Sequence, residues 1–184
     1  MRISQILLTV VLLLSGVIGR FTVAGDHLYI TWEGSEADKG ASTWLIKRYI
    51  NTNAEFKFQK PGSEIMKGRA YDVPVSQFRR THRFTTFESL RRAYKINDPL
   101  IIKLGKIIHD MEINTWGDKH IEESEAVEQS HVVLRKLYKN TSIPFGCQIM
   151  FFDELFSALK NHNLKNGIDV STVEACRTAK MKDQ

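Results

Sequence analysis

The chain has 184 residues, one domain's worth and long enough for a sizeable core. Its 42% hydrophobic and 26% charged residues are ordinary for a globular protein. The formal net charge of +5 is mildly basic, short of the balance expected of a dedicated DNA-binding protein, and no nucleic-acid partner is expected.

The first segment reads as a leader. Arg2 supplies a positive start, Ile6 to Ile18 is an almost unbroken apolar run, and Thr22-Val23-Ala24 has the small residues that signal peptidase reads. The run is short for a bilayer span, which usually takes ~20 apolar residues. Residues 1–24 are therefore expected to be a cleaved signal peptide, with an uncleaved membrane anchor as the alternative. Loss of Arg2 and Arg20 would lower the formal charge from +5 to +3. The protein is then expected to be periplasmic or secreted. Cys147 and Cys176 can pair in an oxidising compartment. One lies in a packed segment and the other in a polar tail, so the sequence favours two unpaired thiols.

Leu28, Ile30 and Trp32 alternate with polar neighbours, the pattern of a half-buried strand. Asp38-Lys39-Gly40-Ala41-Ser42 opens a helix with Leu45, Ile46, Tyr49 and Ile50 on one face. Phe56 and Phe58 mark a second strand, Pro61-Gly62 a turn, and Ala70 to Pro74 a further extended piece. Thr85 or Thr86 can cap a helix carrying Phe87, Leu90 and Tyr94, with Glu88 in its first turn. Asp98-Pro99 is a start signal for the next helix, whose stripe runs from Leu100 to Met111. A helix from about Ile121 is expected to bury Ala126, Val127, Val133, Leu134 and Leu137. Pro144-Phe145-Gly146 precedes an apolar helix with Ile149, Met150, Phe152, Leu155, Phe156 and Leu159. Residues 161–184 are polar and aperiodic, a loose tail. The expected class is α+β: a small N-terminal β-sheet, a mainly helical remainder, and a single domain over residues 25–160.

Three groups of residues can carry chemistry. At the end of the Leu100–Met111 stripe, His109 and Glu112 are three apart on one helix side, while Asp110 projects from the other flank. With Glu88 and His82 they form a candidate ligand set for a divalent metal. Imidazole and carboxylate suit zinc, iron, manganese or nickel without choosing among them. The bland alternative is a solvated helix end. Arg79, Arg80 and Arg83, among threonine hydroxyls at a helix start, suit an oxyanion such as phosphate, sulfate or chromate. Glu33 and the pair Asp38-Lys39 lie where a strand hands over to a helix, a common place for a site, although Asp38 also suits a capping or turn role.

The runs Asp38-Lys39-Gly-Ala-Ser-Thr-Trp44-Leu45-Ile46-Lys47-Arg48-Tyr49-Ile50, Ala54-Glu-Phe56-Lys-Phe58, Ala70-Tyr71-Asp72-Val73-Pro74, Thr86-Phe87-Glu88, Asp98-Pro99 and His109-Asp110 together resemble the chromate-resistance protein family, the ChrB carboxy-terminal domain. Gly146-Cys-Gln-Ile-Met-Phe-Phe-Asp153-Glu-Leu155 resembles its final helix, so the likeness spans about Leu28 to Leu159. It implies a link to chromate resistance, a stress response, in an exported stand-alone form. Where many members have histidine before Thr-Phe-Glu, this chain has Arg80 and Thr81, with His82 just beyond, which favours an anion role over a metal role there.

Two further classes remain open. A metal-dependent hydrolase-like enzyme would use the same imidazole and carboxylates to activate water. The sequence has no nucleophile elbow, phosphate loop or dinucleotide fingerprint, and no flavin, haem or iron–sulfur signature. A regulatory or interaction module of a chromate-response system is the other. Membrane contact is expected only through the leader, and the oligomeric state is not legible.

Overall fold

The computed structural model describes residues 27–139, 141–165, 167–168 and 176. The leader expected over residues 1–24 lies outside the described residues. Among them, no helix is long and apolar enough to cross a membrane.

Three parallel strands form the sheet: β1 (Leu28–Trp32) in the centre, β2 (Glu55–Gln59) on one side and β3 (Arg69–Ala70) on the other. Leu28 pairs with Glu55 and Trp32 with Gln59 at the two ends of the β1–β2 register. Parallel neighbours require a crossover. It is made by α1 (Ala37–Leu45), which runs on into a π-helical turn, Ile46–Ile50. The alternation expected for β1 is lost, because Tyr29, Ile30 and Thr31 are all buried. A strand flanked on both edges and covered by a helix has little face left for water.

Among the described residues four more named helices follow: α2 (Thr86–Ala93), α3 (Pro99–Glu112), α4 (Ser124–Leu137) and α5 (Phe145–Lys160). The architecture is α+β in a single domain, as the periodicities indicated. α1 is the hub, with every one of its nine residues buried. Gly40 explains how α5 comes so near: a Cβ there would lie 2.7 Å from the Phe152 ring. Asp153 of α5 accepts from Trp44 Nε1 at 2.8 Å and from Arg48, clamping α5 onto α1. The core joins Trp44 and Leu45 to Phe87, Leu104, Ile107, Ile108, Phe151, Phe152 and Leu155.

Several details differ from the sequence reading. α4 starts at Ser124 and leaves Val133 exposed, burying His131 in its place. Met150 of α5 is also exposed. The loose-tail reading fails at Leu164, Ile168 and Cys176, which are all buried against the core. Cys147 and Cys176 are joined in a disulfide, correcting the reading of two unpaired thiols. A polar composition hid the few apolar residues that anchor this segment.

Candidate functional site

The site is built where helix starts meet helix ends. The first N–H groups of a helix lack intrahelical partners and attract carboxylates. No side chain of its own segment caps α1. Glu112, the last residue of α3, does so instead: its Oε1 accepts from Ala37 N at 2.6 Å and Asp38 N at 3.3 Å. Its other oxygen is ion-paired with Arg80.

Asp38 repeats the device on α2. Its carboxylate, fully buried, accepts from Thr86 N at 2.7 Å and Phe87 N at 2.9 Å. The capping role expected of Asp38 is real, but it serves a helix 48 residues on. Burial first, and the neighbouring Asp72 second, raise its carboxyl to about 7, against the lowering effect of the two N–H bonds. α2 also carries its own capping box, with Thr85 Oγ1 accepting from Glu88 N and Glu88 Oε2 accepting from Thr85 N at 2.9 Å.

Beside these starts lies Lys39, with only 5% of its surface exposed. Its ammonium contacts Asp72 Oδ2 at 2.9 Å and Glu36 Oε2 at 3.3 Å. Burial alone would lower its pKa, yet Asp72 and Glu36 outweigh that and raise it, so the cation is firmly held. Asp72 adopts φ 52° and accepts from Thr86 Oγ1 at 2.7 Å, fastening the 71–80 segment to α2. Lys39, Asp72, Glu36, Arg79, Arg80 and Trp32 surround a cleft of about 430 Å³, walled further by Val73 and Pro74. Three cations and two carboxylates line it, a surplus of one positive charge. Burial would lower the Arg80 pKa, but Glu112, Asp38 and Asp72 raise it. Arg79 donates to Ser76 O at 2.8 Å and is otherwise at the rim.

The expected metal set divides among different tasks. His109 Nδ1 lies 2.9 Å from Glu88 Oε2, whereas Glu112 faces α1 and Arg80, so the two are not directed at one point. Asp110 is buried; it accepts from Ile121 N at 2.9 Å and Ser124 Oγ at 2.8 Å, holding the start of α4. His109, Glu88, Asp110 and the exposed His120 border a second opening of about 360 Å³. Among the described residues, no group of three or more His, Cys, Asp or Glu side chains is placed to hold a metal ion. His82 and Arg83 are exposed outside both openings, and Glu33 is exposed at the strand end, its N–H donating to Gln59 O.

Glu36 and Asp72 were missed by the sequence reading. The available signal for Asp72 was a carboxylate in an extended Ala-Tyr-Asp-Val-Pro piece, which gives no hint of its partner Lys39.

The sequence model of the family described as ChrB, C-terminal domain, matches residues 29–159. No curated protein and no solved structure matches the chain.

Proposed function

Since the chain belongs to the ChrB C-terminal domain family and is a chromate-resistance-related protein, we propose that it binds a small oxyanion in the cleft between α1 and the 71–80 segment. One observation carries this reading. The Lys39 ammonium is fixed in the cleft wall while Arg79 and Arg80 border the same space. A held ammonium supplies a point charge, and guanidinium groups supply planar donor pairs that match tetrahedral oxyanions. Chromate, sulfate and phosphate share that shape, and the family link favours chromate.

Titration calorimetry with chromate and with sulfate tests it. Arg79→Ala is the informative variant, because among the described residues Arg79 makes no ion pair and its side chain donates to Ser76 O. Losing one charged donor should weaken binding by about tenfold or more. Unchanged chromate binding in Arg79→Ala combined with Arg80→Lys would remove the cleft from consideration.

A divalent metal at the His109 opening is the second reading, and the Glu88 contact favours it. A histidine ligand typically has its other ring nitrogen oriented by a carboxylate, as His109 Nδ1 is. His120 borders the same opening. Undiminished metal content in His109→Ala would end that reading. Export is supported by the Cys147–Cys176 disulfide, which persists most readily in an oxidising compartment.

A further inference from the structure

The cleft beside Lys39 is lined by carboxylates as well as cations, and the carboxylates limit which oxyanion fits there. On the premise that the cleft binds an oxyanion, we propose that it selects one still carrying a proton: hydrogen chromate or hydrogen phosphate, not sulfate.

An ionised carboxylate accepts hydrogen bonds and donates none. Asp72 and Glu36 both line the space, each ion-paired with Lys39. A fully ionised oxyanion also only accepts, so its oxygens would face theirs with no proton between them. Like charges set against each other in this way cost free energy. An anion with a hydroxyl escapes that cost. Its bare oxygens accept from the Lys39 ammonium and the guanidinium groups, while its hydroxyl donates to Asp72 or Glu36. Charge points the same way. Lys39, Arg79 and Arg80 set against Glu36 and Asp72 leave one positive charge, which a singly charged anion matches.

Asp72 is held at the wall from both sides. Its Oδ1 accepts from Thr86 Oγ1 at 2.7 Å, its Oδ2 accepts from Lys39 Nζ at 2.9 Å, and its N–H donates to Phe78 O at 2.8 Å. A carboxylate fixed in this manner cannot swing away from a sulfate, yet each oxygen keeps a lone pair for an incoming hydroxyl. Glu36 stands at the rim, with 42% of its side chain exposed. The other charges near Asp72 are Asp38, buried on α1, and Glu112 of α3, which is paired with Arg80. Since Asp38 titrates at about 7, a proton-carrying anion that does not change its own state is needed as the control.

Titration calorimetry on the full chain with phosphate, chromate and sulfate, in mildly acidic and mildly alkaline buffer, provides the test. Phosphate retains a proton in both buffers, chromate only in the acidic one, and sulfate in neither. In acidic buffer phosphate and chromate should bind about tenfold or more tightly than sulfate. In alkaline buffer chromate should fall towards the sulfate level, while phosphate loses clearly less. Asp72→Asn keeps the shape and an acceptor for Lys39 but removes the charge, and should tighten sulfate by about tenfold. Glu36→Gln lies outside any side-chain cap of α1 and should shift the preference the same way by a smaller factor, independently of whether Asp72→Asn folds. Wild-type binding of sulfate as tight as that of phosphate would overturn the selection and leave the oxyanion reading standing. Equal losses of chromate and phosphate in alkaline buffer, or a preference unchanged in Glu36→Gln, would do the same. Absence of binding by all three anions would overturn both.

Discussion

Burial, with Asp72 second, lifts the Asp38 carboxyl from 3.8 to about 7, so between those values the folded chain keeps a proton that the unfolded chain has released. That contribution to stability falls as pH rises. His131 acts in the opposite sense. Burial, with Arg135 second, lowers its imidazole from 6.5 to about 4, so the unfolded chain takes up a proton that the folded chain refuses, and stability rises with pH. The lowered carboxyls of Glu36 and Asp110 titrate below these groups' ordinary values of 4.5 and 3.8 and stay out of the way. Between pH 4.5 and 6.5 the two slopes oppose each other. Asp38→Asn should therefore show a melting temperature that climbs across this window, and His131→Phe one that falls. Parallel profiles for the two variants would reject both assignments.

At the scale of elements, the helices are capped by one another. Glu112 at the end of α3 closes the start of α1, Asp38 in α1 closes the start of α2, and Asp110 in α3 holds the start of α4. Glu112 and Asp38 each meet unsatisfied N–H groups and the positive end of a helix dipole, while Asp110 takes Ile121 N and the Ser124 hydroxyl where α4 begins, so each contact also fixes the angle between two helices. Glu112→Ala removes the α1 cap and leaves Arg80 without its carboxylate. The expected loss is about 1–3 kcal/mol. Glu112→Gln keeps an acceptor for Ala37 N and should cost clearly less. Urea midpoints at constant slope measure both. If the two variants lose equally, the charge matters and the cap does not. This arrangement also serves the cleft, because the Glu112–Arg80 pair holds a cation at the rim.

Across the molecule, the disulfide ties Cys176 to Cys147 of α5 over a separation of 29 residues. Tyr138 Oη, in contact with Cys147 Sγ at 3.1 Å, donates to Cys176 O at 3.0 Å, so α4 joins the same junction. Closing a loop of that length is worth about 3–4 kcal/mol in the chain-entropy account. For a chain of this size that corresponds to a drop of about 10 °C in melting temperature on reduction. The Cys147→Ser, Cys176→Ser double variant should melt at the reduced temperature with or without dithiothreitol. A reduced wild type that melts as before would show that Leu164 and Ile168 alone hold the segment.

Local signals were sufficient for much of this architecture. The stripe from Leu100 to Met111, the Asp98-Pro99 start and the Thr85–Glu88 box each act within a turn or two of the backbone, and each helix appears where its signal stands. The sequence alone thus determined the element types, the fold class and, through the order of its motifs, the family. Partnership across the chain was decided by the tertiary structure. Nothing near Glu112 announces that it will cap a helix 75 residues earlier, nor does Asp72 announce Lys39. Periodicity records which face a helix buries but not which neighbour buries it. That choice falls to packing, with Gly40 admitting Phe152 and α5. The parallel pairing, the disulfide and the cleft beside Lys39 follow from the same contacts, whose free energies exist only once distant segments have met.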